Sequence, residues 1–203
     1  MRYTKKIPKG NEEKRNILLH EGYNRIKEPK SVFMAIVLSF PLSIIAMAIN
    51  GIWCYYLNPD YFLFQNGDRF ILEFTIDVKL LIGIILTFLI HEFLHAVFIP
   101  RVWTSDKTYW GLNGLFGFVY TEEPISKGRF LLISVLPLII LSFLLPLVLS
   151  LAGIWSWNII FFSILNAGGS CVDLLNMILI GTQVPYKGIV ISNGSFTFYK
   201  ADK

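Results

Sequence analysis

Four long apolar stretches follow one another along the chain. Residues 32–57 and residues 130–172 contain no charged side chain, and the second stretch suits two spans with a break near Gly153. About 20 helical residues, rising about 1.5 Å each, cross a hydrocarbon core of about 30 Å. The pattern therefore predicts an all-α membrane protein with four transmembrane helices, at about residues 32–57, 76–100, 130–151 and 155–184.

The segments at the two ends of the chain are more polar. Residues 12–28 mix charged and apolar side chains, which favours a short amphipathic helix on the membrane surface; a solvated tail with one or two helical turns is the alternative. After the last span, Asn193-Gly194 between alternating residues favours a type I′ turn and hence a short β-hairpin tail. We expect one membrane domain over residues 1–203, with a cytoplasmic amphipathic segment at 1–30 and a cytoplasmic tail at 185–203.

Basic residues predict how the chain is oriented. Nine of the 18 lysines and arginines precede residue 31. They are Arg2, Lys5, Lys6, Lys9, Lys14, Arg15, Arg25, Lys27 and Lys30. The 101–129 loop and the tail also carry lysine or arginine, whereas the 58–73 loop is acidic and the link near 153 is uncharged. Because lysine and arginine favour the cytoplasmic side, we expect a multi-pass protein of the cell membrane with both termini cytoplasmic.

The composition agrees with a lipid-embedded chain. Hydrophobic residues make up 54% of the sequence and charged residues only 16%, against about a quarter in a soluble domain. The formal net charge of +4 comes from the basic segment beside the first span, which suits contact with anionic lipid. We therefore expect the bilayer as a partner and no nucleic acid, and the sequence does not indicate an oligomeric state.

The second predicted span, at about residues 76–100, contains the motif His91-Glu92-Phe93-Leu94-His95. Residues four apart are about 40° apart around a helix axis, so both histidines face the same way and can bind one zinc ion. Glu92 lies about 100° from His91 and can act as a general base without binding the metal. Histidines and a glutamate are costly in an apolar span, which indicates a functional metal site.

Depth in the membrane identifies a third ligand candidate. Catalytic zinc usually has three protein ligands and a water, and Asp173 is the other ionisable residue deep in a predicted span. His91 and His95 lie roughly 13 Å and 7 Å from the cytoplasmic end of their span, and Asp173 roughly 16 Å from the same face. The three side chains are therefore expected at about one level.

Two other polar residues of the last span are open to more than one interpretation. Asn166 lies two turns from Asp173 on the same face and could bind substrate or make an interhelical hydrogen bond. Cys171 points about 160° away from Asp173, which argues against a thiolate ligand. Gly168 and Gly169 allow close helix approach or local unwinding.

The motif on one span, followed by a loop, a further span and an aspartate on the next, resembles the site-2 protease family of intramembrane zinc metalloproteases. It is similar above all to small bacterial membrane proteins labelled putative zincin peptidases. The resemblance covers about residues 74–184 and implies His91, His95 and Asp173 as zinc ligands and Glu92 as the catalytic base. The chain departs from the site-2 pattern after Asn166 and Asp173, where the proline and the glycine of that pattern are missing.

The loop from 101 to 129 is rich in aromatic residues and glycine. A short β-hairpin there could offer an edge strand to an extended substrate. The alternative is an interfacial loop that is anchored by its aromatic side chains.

Three functions fit these features. The first is a membrane-embedded zinc metallopeptidase that hydrolyses membrane or membrane-proximal proteins. The second is a catalytically silent zinc-binding scaffold or protease regulator. The third is an ion or proton pathway built from the same polar residues.

Overall fold

Four helical rods form the body of the molecule. The computed structural model describes residues 1–6, 8–62, 77–113 and 116–201 of the chain. Each rod is long and apolar enough to cross a membrane. They are Val32–Leu57, Val78–Val97, Lys127–Leu151 and Trp157–Gln183. The predicted fold class with four spanning helices is confirmed, and the rods indicate a multi-pass membrane protein.

The first two rods, α2 and α3, each begin with a side chain that caps the helix, and a shorter helix, α1, precedes them. α1 covers Glu12–His20, α2 covers Val32–Leu57 and α3 covers Val78–Val97. Ser31 accepts a hydrogen bond from the backbone N–H of Met34 at the start of α2, and Asp77 accepts one from Leu80 at the start of α3. These caps satisfy backbone donors that a helix start leaves free.

The third and fourth rods are interrupted. The third consists of α4 (Lys127–Pro137), a π-helical turn over Leu138–Leu144 and α5 (Leu145–Leu151). The fourth consists of α6 (Trp157–Gly169) and α7 (Cys171–Gln183), which meet at Ser170. Prolines 137 and 146 lack a backbone N–H, and the ladder of helical hydrogen bonds is therefore broken in the third rod.

Both glycines before Ser170 lie at close helix contacts. A Cβ on Gly168 would lie 2.9 Å from the sulfur of Met47 in α2, and one on Gly169 would lie 3.0 Å from a ring carbon of Phe88 in α3. The fourth rod thus packs between the first two. Both properties expected of this glycine pair, close approach and an interrupted helix, occur together.

Two small sheets accompany the helices. Their strands are β1 (Arg2–Tyr3), β2 (Asn24–Arg25), β3 (Thr108–Asn113), β4 (Phe116–Thr121), β5 (Ile125–Ser126), β6 (Gly188–Asn193) and β7 (Phe196–Ala201). One sheet has the order β1-β3-β4, with β1 parallel to β3, and the other has the order β2-β7-β6-β5. The strands connect to the start of α2 and α4 and to the end of α3 and α7, so both sheets lie at one end of the bundle.

The C-terminal hairpin is confirmed, but its turn differs from the predicted one. Asn193 pairs with Phe196, so the two turn residues are Gly194 and Ser195 instead of Asn193 and Gly194. Gly194 has φ +63, and Ser195 is not among the residues with positive φ. A glycine at the first turn position alone is typical of a type II′ turn, which replaces the expected type I′ turn.

The N-terminal segment is held against the body of the protein. Its helix ends at His20 and is shorter than the predicted 12–28 segment. Ile26 is buried with Ile180, Val184 and Val190, which ties the segment to the last rod and to β6. The predicted loop at 58–73 lies outside the described residues beyond Phe62, as does the predicted start of the second span at residue 76.

Candidate metal centre

Two helices bring three metal-binding side chains to one point. The Nε2 atoms of His91 and His95, one turn apart on α3, are 3.2 Å from each other. The Oδ2 atom of Asp173, in the first turn of α7, lies 3.2 Å from the first of these nitrogens and 3.4 Å from the second. The three atoms form a nearly equilateral triangle, and the expected meeting of the two spans at one depth is observed.

Hydrogen bonds on the far side of each ring orient the two histidines. The Nδ1 atom of His95 is 2.8 Å from the carbonyl oxygen of Ile133, which can only accept. The Nδ1 atom of His91 is 2.9 Å from the Oδ1 atom of Asn166. The amide of Asn166 is itself oriented, because its Nδ2 atom donates to the carbonyl of Pro137. Both Nδ1 atoms therefore act as hydrogen-bond donors, and both Nε2 atoms are directed at Asp173, where they can bind a metal ion.

The donor set suits zinc. Two imidazole nitrogens and one carboxylate oxygen, each able to give a lone pair to a metal ion, converge within 3.4 Å of one another. A tetrahedral ion with bonds of about 2.0–2.1 Å places its ligand atoms about 3.3–3.4 Å apart. The observed 3.2–3.4 Å edges match that spacing. Two imidazoles and one carboxylate also leave a fourth position open, as in catalytic zinc sites.

Pro137 explains why the carbonyl of Ile133 is available to His95. In an α-helix this oxygen would accept the N–H of the residue four positions later, which is residue 137. Proline has no N–H, so the carbonyl is left without its helical donor. The Nδ1–H group of His95 takes that place at 2.8 Å. Because Pro137 has no N–H, it leaves the Ile133 carbonyl free to orient His95.

Replacing Pro137 with alanine is expected to weaken zinc binding by about tenfold, at the low end of effects seen when a ligand loses its hydrogen-bonded support. The new N–H would compete with His95 for the Ile133 carbonyl. Competition with a chromogenic chelator measures the zinc dissociation constant. Pro41→Ala, which restores an N–H inside α2, is the matched control; equal affinities in both variants would contradict this role of Pro137.

Glu92 lies between the metal-binding triangle and the β3–β4 hairpin. Its carboxylate accepts a hydrogen bond from the backbone N–H of Val119 in β4. A Cβ on Gly117 would lie 2.9 Å from the Cγ atom of Glu92, so the strand approaches this side chain as closely as a glycine permits. The hairpin therefore holds the carboxylate beside the histidines.

The N-terminal segment and the C-terminal tail both contact the β3–β4 hairpin. Lys14 in α1 forms a 2.6 Å ion pair with Glu122, just after β4. The backbone N–H of Gly194 donates to the Tyr120 hydroxyl, which donates to Glu122. Burial, reinforced by the nearby Glu122 charge, raises the pKa of Tyr120, so the phenol stays protonated. The predicted hairpin in the 101–129 loop is present, and it is bonded to residues of both terminal segments.

The contacts of Asn166 favour the interhelical hydrogen bond over substrate binding. Its side chain is 0% exposed, and its amide contacts His91, Pro137 and the Ser142 hydroxyl. Cys171 lies outside the triangle, with its sulfur 3.3 Å from the Ser39 hydroxyl on α2. The sequence analysis did not predict the contacts of the Ile133 and Pro137 carbonyls with the site.

Comparison with known proteins places the chain in a family. No curated protein and no solved structure matches it. The model of a family described as "Putative zincin peptidase" matches residues 84–188, from the middle of α3 to the start of β6, and thus includes the triangle, Glu92 and the hairpin. Because this match covers just over half of the 203 residues, the chain belongs to the putative zincin peptidase family.

Proposed function

We propose that the protein is a membrane-embedded zinc metallopeptidase that hydrolyses peptide bonds of membrane or membrane-proximal proteins. His91, His95 and Asp173 would hold the zinc ion, and Glu92 would be the catalytic base. The observation that carries the proposal is the convergence of three metal-binding atoms, from His91, His95 and Asp173, with a glutamate on the helix of the histidines held beside them. Family membership supports the peptidase class.

Each polar side chain has a distinct part in this chemistry. Bound zinc would polarise a peptide carbonyl and acidify a water. Glu92 accepts a proton from the attacking water and passes it to the leaving amine. Asn166 and the Ile133 carbonyl keep the two histidines in the tautomer that leaves Nε2 free. Asp173 supplies the negative charge that offsets a divalent cation in apolar surroundings.

The β4 strand is the proposed contact for an extended substrate. It is an outer strand of its sheet, and among the described strands only β3 pairs with it. Its residues Gly117 and Val119 lie against Glu92, so a peptide beside this strand would pass the metal centre. With both termini cytoplasmic, as the basic residues favour, substrate and water would enter from the cytoplasmic face.

Gly117→Ala is expected to lower turnover by up to about 10²-fold without lowering zinc content, because a shift of about 1 Å in a catalytic group has effects of this size. The added Cβ would meet the Cγ atom of Glu92 at 2.9 Å. Initial rates and metal analysis on the same preparation test this. Gly128→Ala is the matched control, since its Cβ would meet nothing within 4 Å; similar rates for both variants would refute the effect.

A comparison of membrane proteomes tests the proposed activity and searches for the substrate. Cells that produce the wild type or Glu92→Gln, at matched protein levels, are compared for new protein N-termini. Fragments that occur only with the wild type are the expected result, and they identify the cleaved bonds. If fragments are absent while the purified wild type holds one zinc ion per chain, the silent scaffold replaces the peptidase. A wild type without zinc overturns both.

A further inference from the structure

A second group of polar side chains lies inside the apolar rods and reaches the metal centre from the first of them. We propose that Asn50, in α2, is a positioning residue of the metal centre, acting through Ser142 and Asn166 on His91. This inference rests on the proposed function, because it concerns how the zinc ligands are held. α2 lies outside the segment that matches the family model, so this role cannot be read from the family.

Asn50 is fully buried, and both its amide nitrogen and its amide oxygen make hydrogen bonds. Its side chain is 0% exposed, its Nδ2 atom donates to the Ser142 carbonyl, and its Oδ1 atom lies 3.0 Å from the Ser163 hydroxyl. An amide in an apolar span is costly unless its donors and acceptors are paired. The paired groups belong to the third and fourth rods, so Asn50 joins three rods at one point.

Pro146 leaves the Ser142 carbonyl open to this contact. Residue 146 is four positions after residue 142 and, as proline, cannot give that oxygen the N–H that an α-helix would supply. Asn50 and the Ser163 hydroxyl, the latter at 3.0 Å, donate to it instead. The third rod therefore uses proline twice in the same way: Pro137 exposes a carbonyl to His95 of the second rod, and Pro146 exposes one to Asn50 of the first.

The chain of hydrogen bonds continues from Ser142 to the metal-binding triangle. The Ser142 hydroxyl donates to the Ser163 carbonyl at 2.9 Å and accepts from the Nδ2 atom of Asn166 at 2.8 Å. Asn166 then accepts from His91 at 2.9 Å. Ser142 lies in the π-helical turn Leu138–Leu144, where the backbone ladder is wider than in an α-helix. Asn50 therefore holds the part of the rod on which the orientation of His91 depends.

Zinc affinity of the purified full-length protein tests this role. Asn50→Leu removes the amide donor and the amide acceptor at similar side-chain volume. Asn50→Ser removes the amide with a smaller side chain and serves if the leucine does not fit. Both are expected to raise the zinc dissociation constant about tenfold and to alter the visible spectrum of the Co²⁺-substituted protein. The control is Ser43→Ala, which removes a 3.0 Å hydrogen bond from α2 to Gly168 in the fourth rod that is not part of the chain to His91.

The double variant Asn50→Leu/Asn166→Leu separates positioning from packing. If Asn50 acts through Asn166, the double variant binds zinc about as weakly as Asn166→Leu alone, since the two changes interrupt one pathway. A purely structural Asn50 would lower the thermal unfolding temperature and leave the Co²⁺ spectrum and zinc affinity equal to those of Ser43→Ala, which would overturn the inference while the proposed function stands. A wild type that binds no zinc would overturn both.

Discussion

Glu92→Gln is expected to keep its zinc and to lose peptide hydrolysis by about 10²–10⁴-fold, the usual contribution of a positioned general base. Glutamine has the same shape, and its Oε1 atom can still accept the hydrogen bond from Val119, so the hairpin stays in place. The amide cannot accept a proton from water. To test this, the initial rate of hydrolysis is measured on the substrate found in membrane proteomes. Zinc content is measured on the same samples.

The matched control for this prediction is Glu122→Gln. Glu122 follows β4 on the same hairpin and makes an ion pair with Lys14, so its loss affects how the hairpin is anchored and not the proton transfer. We expect it to lower the rate far less than Glu92→Gln does. Equal turnover in Glu92→Gln and wild type would remove Glu92 from the chemistry. A loss of zinc in Glu92→Gln would instead make the side chain part of the metal-binding set.

The helices and the depth of the metal site were predictable because both follow from residue counts along the chain. The length of an uncharged stretch sets a span, and the rise per residue sets depth. His91 and Asp173 could therefore be placed at one level from residue counts alone, and their ring nitrogen and carboxylate oxygen do lie 3.2 Å apart. The alternation around residues 189–199 likewise gave the hairpin, although the turn lies one residue later than expected.

The surroundings of the site depend on contacts that no local pattern encodes. Asn166 looks the same in the sequence whether it faces a substrate or an adjacent helix, and the packing of the third rod decides between them. The pairing of β1 with β3 joins residues about a hundred positions apart. The Ile133 carbonyl was closer to prediction, because a proline four residues later always leaves such an oxygen without its helical donor. The local sequence does not show that the replacement donor is His95 of α3.

Asp173→Ala is expected to abolish stoichiometric zinc binding. The loss of zinc affinity should exceed the loss of about 10–100-fold that follows removal of a supporting hydrogen bond. The change leaves two histidines, whose Nε2 atoms are 3.2 Å apart, and removes the one negative ligand from a site in apolar surroundings. A divalent cation there would have little compensating charge, and burying an uncompensated charge is costly. Hydrolysis should fall to the level without enzyme, because every step depends on the bound metal.

Zinc content after dialysis and the apparent dissociation constant measure this effect. His91→Ala should behave in the same way, since it removes a ligand from the opposite helix of the triangle. The matched control is Asn176→Leu, which changes another polar residue of α7 three positions after Asp173 and outside the metal-binding triangle. If Asp173→Ala retained zinc as tightly as Asn176→Leu does, the carboxylate could not be a ligand, and its 3.2 Å and 3.4 Å contacts would be those of an ordinary ion pair with protonated histidine.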